Sequence, residues 1–274
     1  MDLIEIASSL GRPATLLVEK VSDATGAIYE PLHIRRMAKA RADAAMIAAQ
    51  SEIKITELQE RAAIRRMQEE AKQQKNIDDV LAKALTQVSE DAKPDDMEED
   101  WIINLFDKCR IVSDEQMQVL WSKVLAGEAN APGSYSKRTV NALADLNESE
   151  AALFTALGGF VCVIGIHTPV VLDEKAEIYN AHGINYNSMQ YLDSAGLVRF
   201  GGISRTFRQL KKGDIVNYYD SALTVQSPGG KFGVDTGLVS FTTVGFELFP
   251  ICGAKPVKGF LQYLEKQWKK HLAG

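Results

Sequence analysis

The sequence predicts a mainly α-helical protein with a C-terminal α+β part, and three observations carry that expectation. Residues 32–75 contain neither Gly nor Pro and are rich in Ala, Glu, Gln, Arg, Lys and Met, all strong helix formers. Between Trp101 and Leu157, apolar residues recur at three- and four-residue steps between capping residues, the period of amphipathic helices. From Phe160 onward, β-branched and aromatic residues gather in short runs separated by turn residues, the pattern of strands. The 274 residues allow one large domain or two ordinary ones. Hydrophobic residues at 46% and charged residues at 24% exclude disordered, collagenous and disulfide-scaffold classes. The reading divides the chain into an N-terminal helical region over 1–90, a helical middle over 91–148 and an α+β domain over 149–274.

Leu3, Ile4, Ala7 and Leu10 fall at helical spacing before Gly11 and Pro13 interrupt. Leu16, Leu17, Val18, Val21 and Ile28 follow before Pro31, so two short helices are expected. The next helix starts near Leu32, and its first 44 residues would span ~65 Å. Ile34, Ala38, Ala42, Ala45, Ala49 and Ile53 make a narrow stripe of mostly small residues along it. Such a stripe admits a second helix closely, in a hairpin or coiled-coil seam, and self-association is expected through it. The helix continues over 76–88 with Val80, Leu81, Ala84 and Leu85 apolar. Residues 90–100 read as a linker into an acidic first turn, where carboxylates complement the helix dipole.

Trp101, Ile102, Leu105 and Phe106 form the inward face of the following helix. Ser113, with Gln116 three residues on, is expected to cap a helix that buries Trp121, Val124 and Leu125 and stops near Gly127. Ser136 caps the next, over Val140, Leu143 and Leu146, and Asn147 or Ser149 the one over Phe154 and Leu157. Residues 160–166 read as one buried strand. Asn185 or Asn187 caps a short helix over Met189 and Leu192. Residues 197–200, 215–219, 223–226 and 238–241 read as strands, Thr243 caps a short helix, and Phe260, Leu261, Leu264 and Trp268 mark a closing amphipathic helix.

Net charge is −5, so no bulk positive field draws the molecule onto nucleic acid. Cys109, Cys162 and Cys252 are far apart and lack CxxC spacing, which fits a reducing cytoplasm and argues against zinc. The first five residues carry no basic start of a secretory signal. Residues 151–172 are uncharged and long enough for a membrane span, but Gly158, Gly159, Gly165, His167 and Pro169 interrupt them. A buried helix and strand is the preferred reading. Arg35, Arg36, Lys39 and Arg41 precede the first acid of the long helix, Asp43. They read either as a solvated helix face or as a patch for anionic lipid or nucleic acid. The location expected is cytoplasmic, with peripheral membrane contact through that patch as an option.

No catalytic motif completes itself. A phosphate loop needs Gly-x4-Gly-Lys-Ser/Thr, whereas Gly229-Gly230-Lys231 is followed by Phe232. No Gly-x-Ser-x-Gly elbow occurs, and His33, His167, His182 and His271 lack metal-ligand spacing. No enzyme, cofactor or metal is expected.

Arg199, Arg205, Arg208, Lys211 and Lys212 put five positives in fourteen residues without an acid, the composition of a phosphate-contacting loop. The order of helix, strand, helix, "LDSAGLVRF", basic loop, strands and "FTTVGFEL" resembles a winged-helix module. That resemblance implies either DNA binding or protein binding through the wing. The helix near 185–195 carries no Lys or Arg, which disfavours DNA because base edges are usually read by such side chains.

Four passages resemble an uncharacterised bacterial family known only as a domain of unknown function: "RPATLLVEKVSDATGAIYEPLHIRRMAKARADA", "RAAIRRMQEEAKQQKNID", "DWIINLFDKCRIVSDEQMQVLWSKVLAGEANAPGSYSKRTVNAL" and "ICGAKPVKGFLQYLEKQW". Trp121 to Thr139, with Leu125, Glu128, Pro132-Gly133-Ser134, Ser136 and Arg138-Thr139, also resembles the Abi-alpha family of abortive-infection proteins. The second resemblance implies a role in defence against bacteriophage. Trp121 and Leu125 read as packing residues, Glu128 as a cap on the turn, and Ser136 with Arg138-Thr139 as a helix start; the same stretch also reads as a partner surface. The expected function is a non-enzymatic defence component that senses or recruits through protein contacts and self-assembles. Its partners would be further copies, a second defence protein or a phage component. The alternatives are a winged-helix DNA-binding regulator and a peripheral lipid binder.

Overall fold

The computed structural model describes residues 3–26, 57–201, 205–224 and 232–269. The chain forms two compact units, Met1–Ala144 and Asp145–Gly274.

In the first unit the described residues form helices α1 (Leu3–Leu10), α2 (Arg12–Thr25), α3 (Glu57–Leu85), α4 (Glu99–Cys109), α5 (Glu115–Asn130) and α6 (Lys137–Asp145). Gly11 parts α1 from α2 at a φ of 102°, and Pro13 stands in the first turn of α2, where its missing N–H costs nothing. The stripe Ile34, Ala38, Ala42, Ala45, Ala49 and Ile53 and the cations Arg35, Arg36, Lys39 and Arg41 lie outside the described residues. The last turns of α3 bury Val80, Leu81, Ala84 and Leu85, the face expected, with Trp121, Val124 and Leu125 of α5 also in the core. Polar bonds fix the α3–α5 register: Lys83 Nζ donates to Gln118 Oε1 at 3.0 Å and Gln87 Nε2 to Ser122 Oγ at 3.1 Å.

Asp114, not Ser113, caps α5, its carboxylate accepting the Met117 N–H at 2.8 Å. An ionised oxygen is a better acceptor than a hydroxyl at the positive helix end. The helix also runs past Gly127 to Asn130, because Glu128 and Ala129 are buried and extend the core face.

The second unit opens with α7 (Glu148–Gly158), capped by Asn147 in a reciprocal box with Glu150. The single strand expected over 160–166 is instead a hairpin. β1 (Val161–Ile164) turns at Gly165, φ 73°, into β2 (Ile166–Pro169), pairing Ile164 with Ile166. With β5 (Ile215–Tyr218) and β6 (Ser221–Thr224) these strands make an antiparallel sheet in the order β2-β1-β5-β6. Two further ribbons pair β3 (Val198–Phe200) with β8 (Val239–Phe241) and β4 (Thr206–Leu210) with β7 (Phe232–Gly237). Helices α8 (Glu177–Asn180), α9 (Tyr186–Ser194), α10 (Thr243–Leu248) and α11 (Phe260–Gln267) complete the unit. Asn185 caps α9, and Thr242 rather than Thr243 caps α10.

The core is aromatic. Phe160 is fully buried, with ring centroids 4.8 Å from Tyr179 and 5.0 Å from Phe260. The buried hydroxyls are satisfied: Tyr218 Oη donates to the Gly159 carbonyl at 2.7 Å and accepts the Val257 N–H at 2.6 Å. Tyr179 Oη donates to the Val170 carbonyl at 3.1 Å.

Candidate functional site

The stretch Trp121 to Thr139 is built as scaffold. Trp121 and Leu125 are wholly buried on α5. The Glu128 carboxylate, also buried, accepts the Gly133 N–H at 2.6 Å and the Tyr135 N–H at 2.9 Å, so it holds the turn at 131–135 closed. The Tyr135 carbonyl accepts the Trp101 indole N–H at 2.7 Å, tying the turn to α4. A side chain at Gly127 would start 2.6 Å from the Tyr135 ring, so the close approach requires glycine. Ser136 Oγ accepts the Thr139 N–H at 3.3 Å and starts α6.

The two halves of the winged-helix-like pattern also meet for a packing reason. Thr242 Oγ1 donates to the Gly196 carbonyl at 2.6 Å and accepts the Gly245 N–H at 3.1 Å. A Cβ on Gly245 would run into the Leu197 carbonyl, so the turn of "LDSAGLVRF" and the start of α10 touch backbone to backbone.

The five cations expected on one loop are distributed over strands. Arg199 lies exposed on β3 and Arg208 half-buried on β4, while Lys211 and Lys212 sit exposed in the turn after β4. Arg205 is engaged: its Nε and guanidinium pair with Asp235, at 2.6 Å from Nε, and it donates to the Leu172 carbonyl at 2.8 Å. The basic loop is therefore a β-ribbon, paired from Thr206↔Gly237 to Leu210↔Phe232. Burial alternates along β4, with Thr206 and Arg208 half-buried and Leu210 buried on one face and Phe207 and Gln209 exposed on the other.

That ribbon borders a cleft of about 320 Å³ in the second unit. It is lined by β2, β4, β7, β8 and α10, with His167, Phe207, Arg208, Ser240 and Phe246 among the lining residues and no Asp or Glu. The His167 ring packs 4.8 Å from Phe249 and 6.0 Å from Phe246 between centroids. Phe207 and Phe246 are among the exposed large apolar residues. Sequence reasoning took Arg208 as a wing cation and did not single out His167, Phe207, Ser240 or Phe246 as a group. They come from four separate elements, and only the fold assembles them.

Cys109 and Cys162 are buried in the core. Burial pushes the Cys109 and Cys162 thiols up to about 12, and a thiol so raised is a poor nucleophile at neutral pH. Among the described residues no group of His, Cys, Asp and Glu is arranged to hold a metal, and no helix is long and apolar enough to cross a membrane.

A family model described as "Protein of unknown function (DUF2806)" matches residues 60–265. The chain belongs to the DUF2806 family. The matched residues of this DUF2806 protein take in the Glu128 turn, the Thr242–Gly245 junction and every wall of the cleft, while the stripe from Ile34 to Ile53 precedes them. Comparison with curated proteins and with solved structures found no match.

Proposed function

We propose that this protein is a non-enzymatic component of bacterial antiphage defence that senses or recruits through protein contacts and assembles through its long helix. The observation that carries the reading is the first half of α3. Residues 57–72 are exposed on every face, including Leu58, Ile64 and Met67. An isolated helix of that length is marginal in water, and the i,i+4 pairs Arg65–Glu69 and Arg66–Glu70 add only ~0.3–0.5 kcal/mol each. A second copy laid along this helix would supply the missing burial. The stripe of Ile34, Ala38, Ala42, Ala45, Ala49 and Ile53 on the same predicted helix offers the close seam for it. The resemblance of Trp121 to Thr139 to the Abi-alpha family supports the defence role.

Multi-angle light scattering tests the assembly, with phage challenge of expressing cells as the biological readout. The wild type is expected as a dimer or larger, and Ala45→Glu with Ala49→Glu is expected to yield monomers and abolish protection. A monomeric wild type at micromolar concentration would sink the reading. Neutralising Arg35, Arg36, Lys39 and Arg41 is expected to leave protection in place; its loss together with loss of anionic-liposome binding would transfer the role to lipid contact.

A further inference from the structure

The cleft between the β4–β7 ribbon and the β2 hairpin gathers polar side chains from separate elements. Arg208, His167 and Ser240 line it, and none of their side chains makes a hydrogen bond or ion pair with another described residue. Arg208 brings a guanidinium cation to the cleft, and the walls hold no carboxylate to neutralise it. Arg199 pairs with Ser240 across the β3–β8 ladder and so stands on the same face of that ribbon. Cationic and hydroxyl donors without acceptors of their own select an anion.

The same walls carry Phe246, 40% exposed. A large aromatic side chain left in water beside a cation is a stacking surface for a flat ring. The volume of about 320 Å³ lies at the lower end of small-molecule sites. A nucleic-acid strand would need a continuous track of free cations along its backbone. Arg205, just before β4, is consumed by Asp235 and the Leu172 carbonyl, which interrupts such a track.

We propose that this cleft binds a small flat-ringed anion of nucleoside-monophosphate size, its phosphate held by Arg208 with His167 and Ser240 and its base stacked on Phe246. The site stands independently of α3, so its failure and the failure of self-assembly are read separately.

The test is isothermal titration of the full chain with the four common nucleoside 5′-monophosphates, and with adenosine, inorganic phosphate and a single-stranded oligonucleotide as comparison probes. At least one monophosphate is expected to bind saturably at one site per chain, below about 1 mM. Adenosine and inorganic phosphate should each bind at least about tenfold more weakly, since each offers half of the recognition. Arg208→Gln should weaken the monophosphate about tenfold or more, and Phe246→Ala should weaken it about threefold or more. Both side chains reach solvent, and unchanged melting curves would confirm that both variants fold. Heteronuclear NMR should shift the amides of Arg208 and Ser240 and leave those of α5 in place. Four results would each overturn the proposal: no monophosphate binding up to about 1 mM, inorganic phosphate binding as tightly as the best monophosphate, binding that Arg208→Gln leaves unchanged, or binding of the oligonucleotide alone.

Discussion

Glu128 holds two backbone N–H groups with one buried carboxylate, at 2.6 Å from Gly133 and 2.9 Å from Tyr135. Glu128→Ala removes both acceptors and strands both donors in a turn that also receives the Trp101 indole. Hydrogen bonds to a charged group contribute ~1.5–3 kcal/mol each, so two of them set a loss of ~3–6 kcal/mol. Alanine returns a few tenths of a kcal/mol through its helix propensity, leaving a net loss of ~3–5 kcal/mol. That is a large fraction of a domain stability of ~5–15 kcal/mol. Glu128→Gln keeps one acceptor oxygen without the charge and should cost ~1–2 kcal/mol. Urea denaturation followed by tryptophan fluorescence measures the loss. Trp101 and Trp121 lie in the first unit and Trp268 in the second, so Trp268→Phe leaves reporters of the first unit alone. Hydrogen exchange at Gly133 and Tyr135 separates the turn from the rest, because those amides should lose protection first. A loss under ~1 kcal/mol in Glu128→Ala, with both amides still protected, would refute the reasoning, since stranded buried donors cannot be that cheap.

Two further outcomes follow from the second unit. Gly245→Ala drives a methyl group into the Leu197 carbonyl and should lower stability by ~2–4 kcal/mol; a melting temperature equal to the wild type would show that the junction yields freely. Burial raises the Cys162 thiol from 9.0 and the Tyr218 hydroxyl from 10.0, each to about 12. A raised folded-state pKa gives stability that is full below the unfolded value and lost as pH rises through the folded one. Urea midpoints followed by circular dichroism should therefore fall as pH rises from about 9 toward about 12, and a midpoint constant across that range would contradict it.

The helices were legible because each carries its own period and its own cap. The Val80–Leu85 face of α3 follows from local sequence, and the structure selects Asn147 over Ser149 and Asn185 over Asn187 among the caps that sequence offered. Errors arose where two neighbours competed for one role. Asp114 displaces Ser113, and Thr242 displaces Thr243, because geometry of the incoming chain picks the cap. Strands were harder. β7 contains Gly233, Asp235 and Gly237, which read as turn residues, yet Gly237 is needed at φ 94° against the Val171 carbonyl. The run 160–166 looked like one strand because Gly165 was the only sign that it turns back. The cleft was illegible for a different reason. His167, Arg208, Ser240 and Phe246 are spread over 80 residues of sequence, and no local pattern links them.

A division between two kinds of residue follows. In the stretch Trp121 to Thr139, Trp121, Leu125, Glu128 and Ser136 each have a packing or capping task that the fold explains. Such a stretch specifies the scaffold, and substitutions there would impair any function indirectly, by unfolding. Phe207, Arg208 and Phe246 answer to no comparable need. An exposed aromatic ring forfeits burial free energy, and a half-buried guanidinium without an acceptor forfeits the hydrogen bonds that would offset its desolvation. Substituting those side chains should therefore leave stability within ~0.5 kcal/mol. Any loss of function they cause would be a loss of contact with something outside the chain, whereas a loss caused at Glu128 would be a loss of fold.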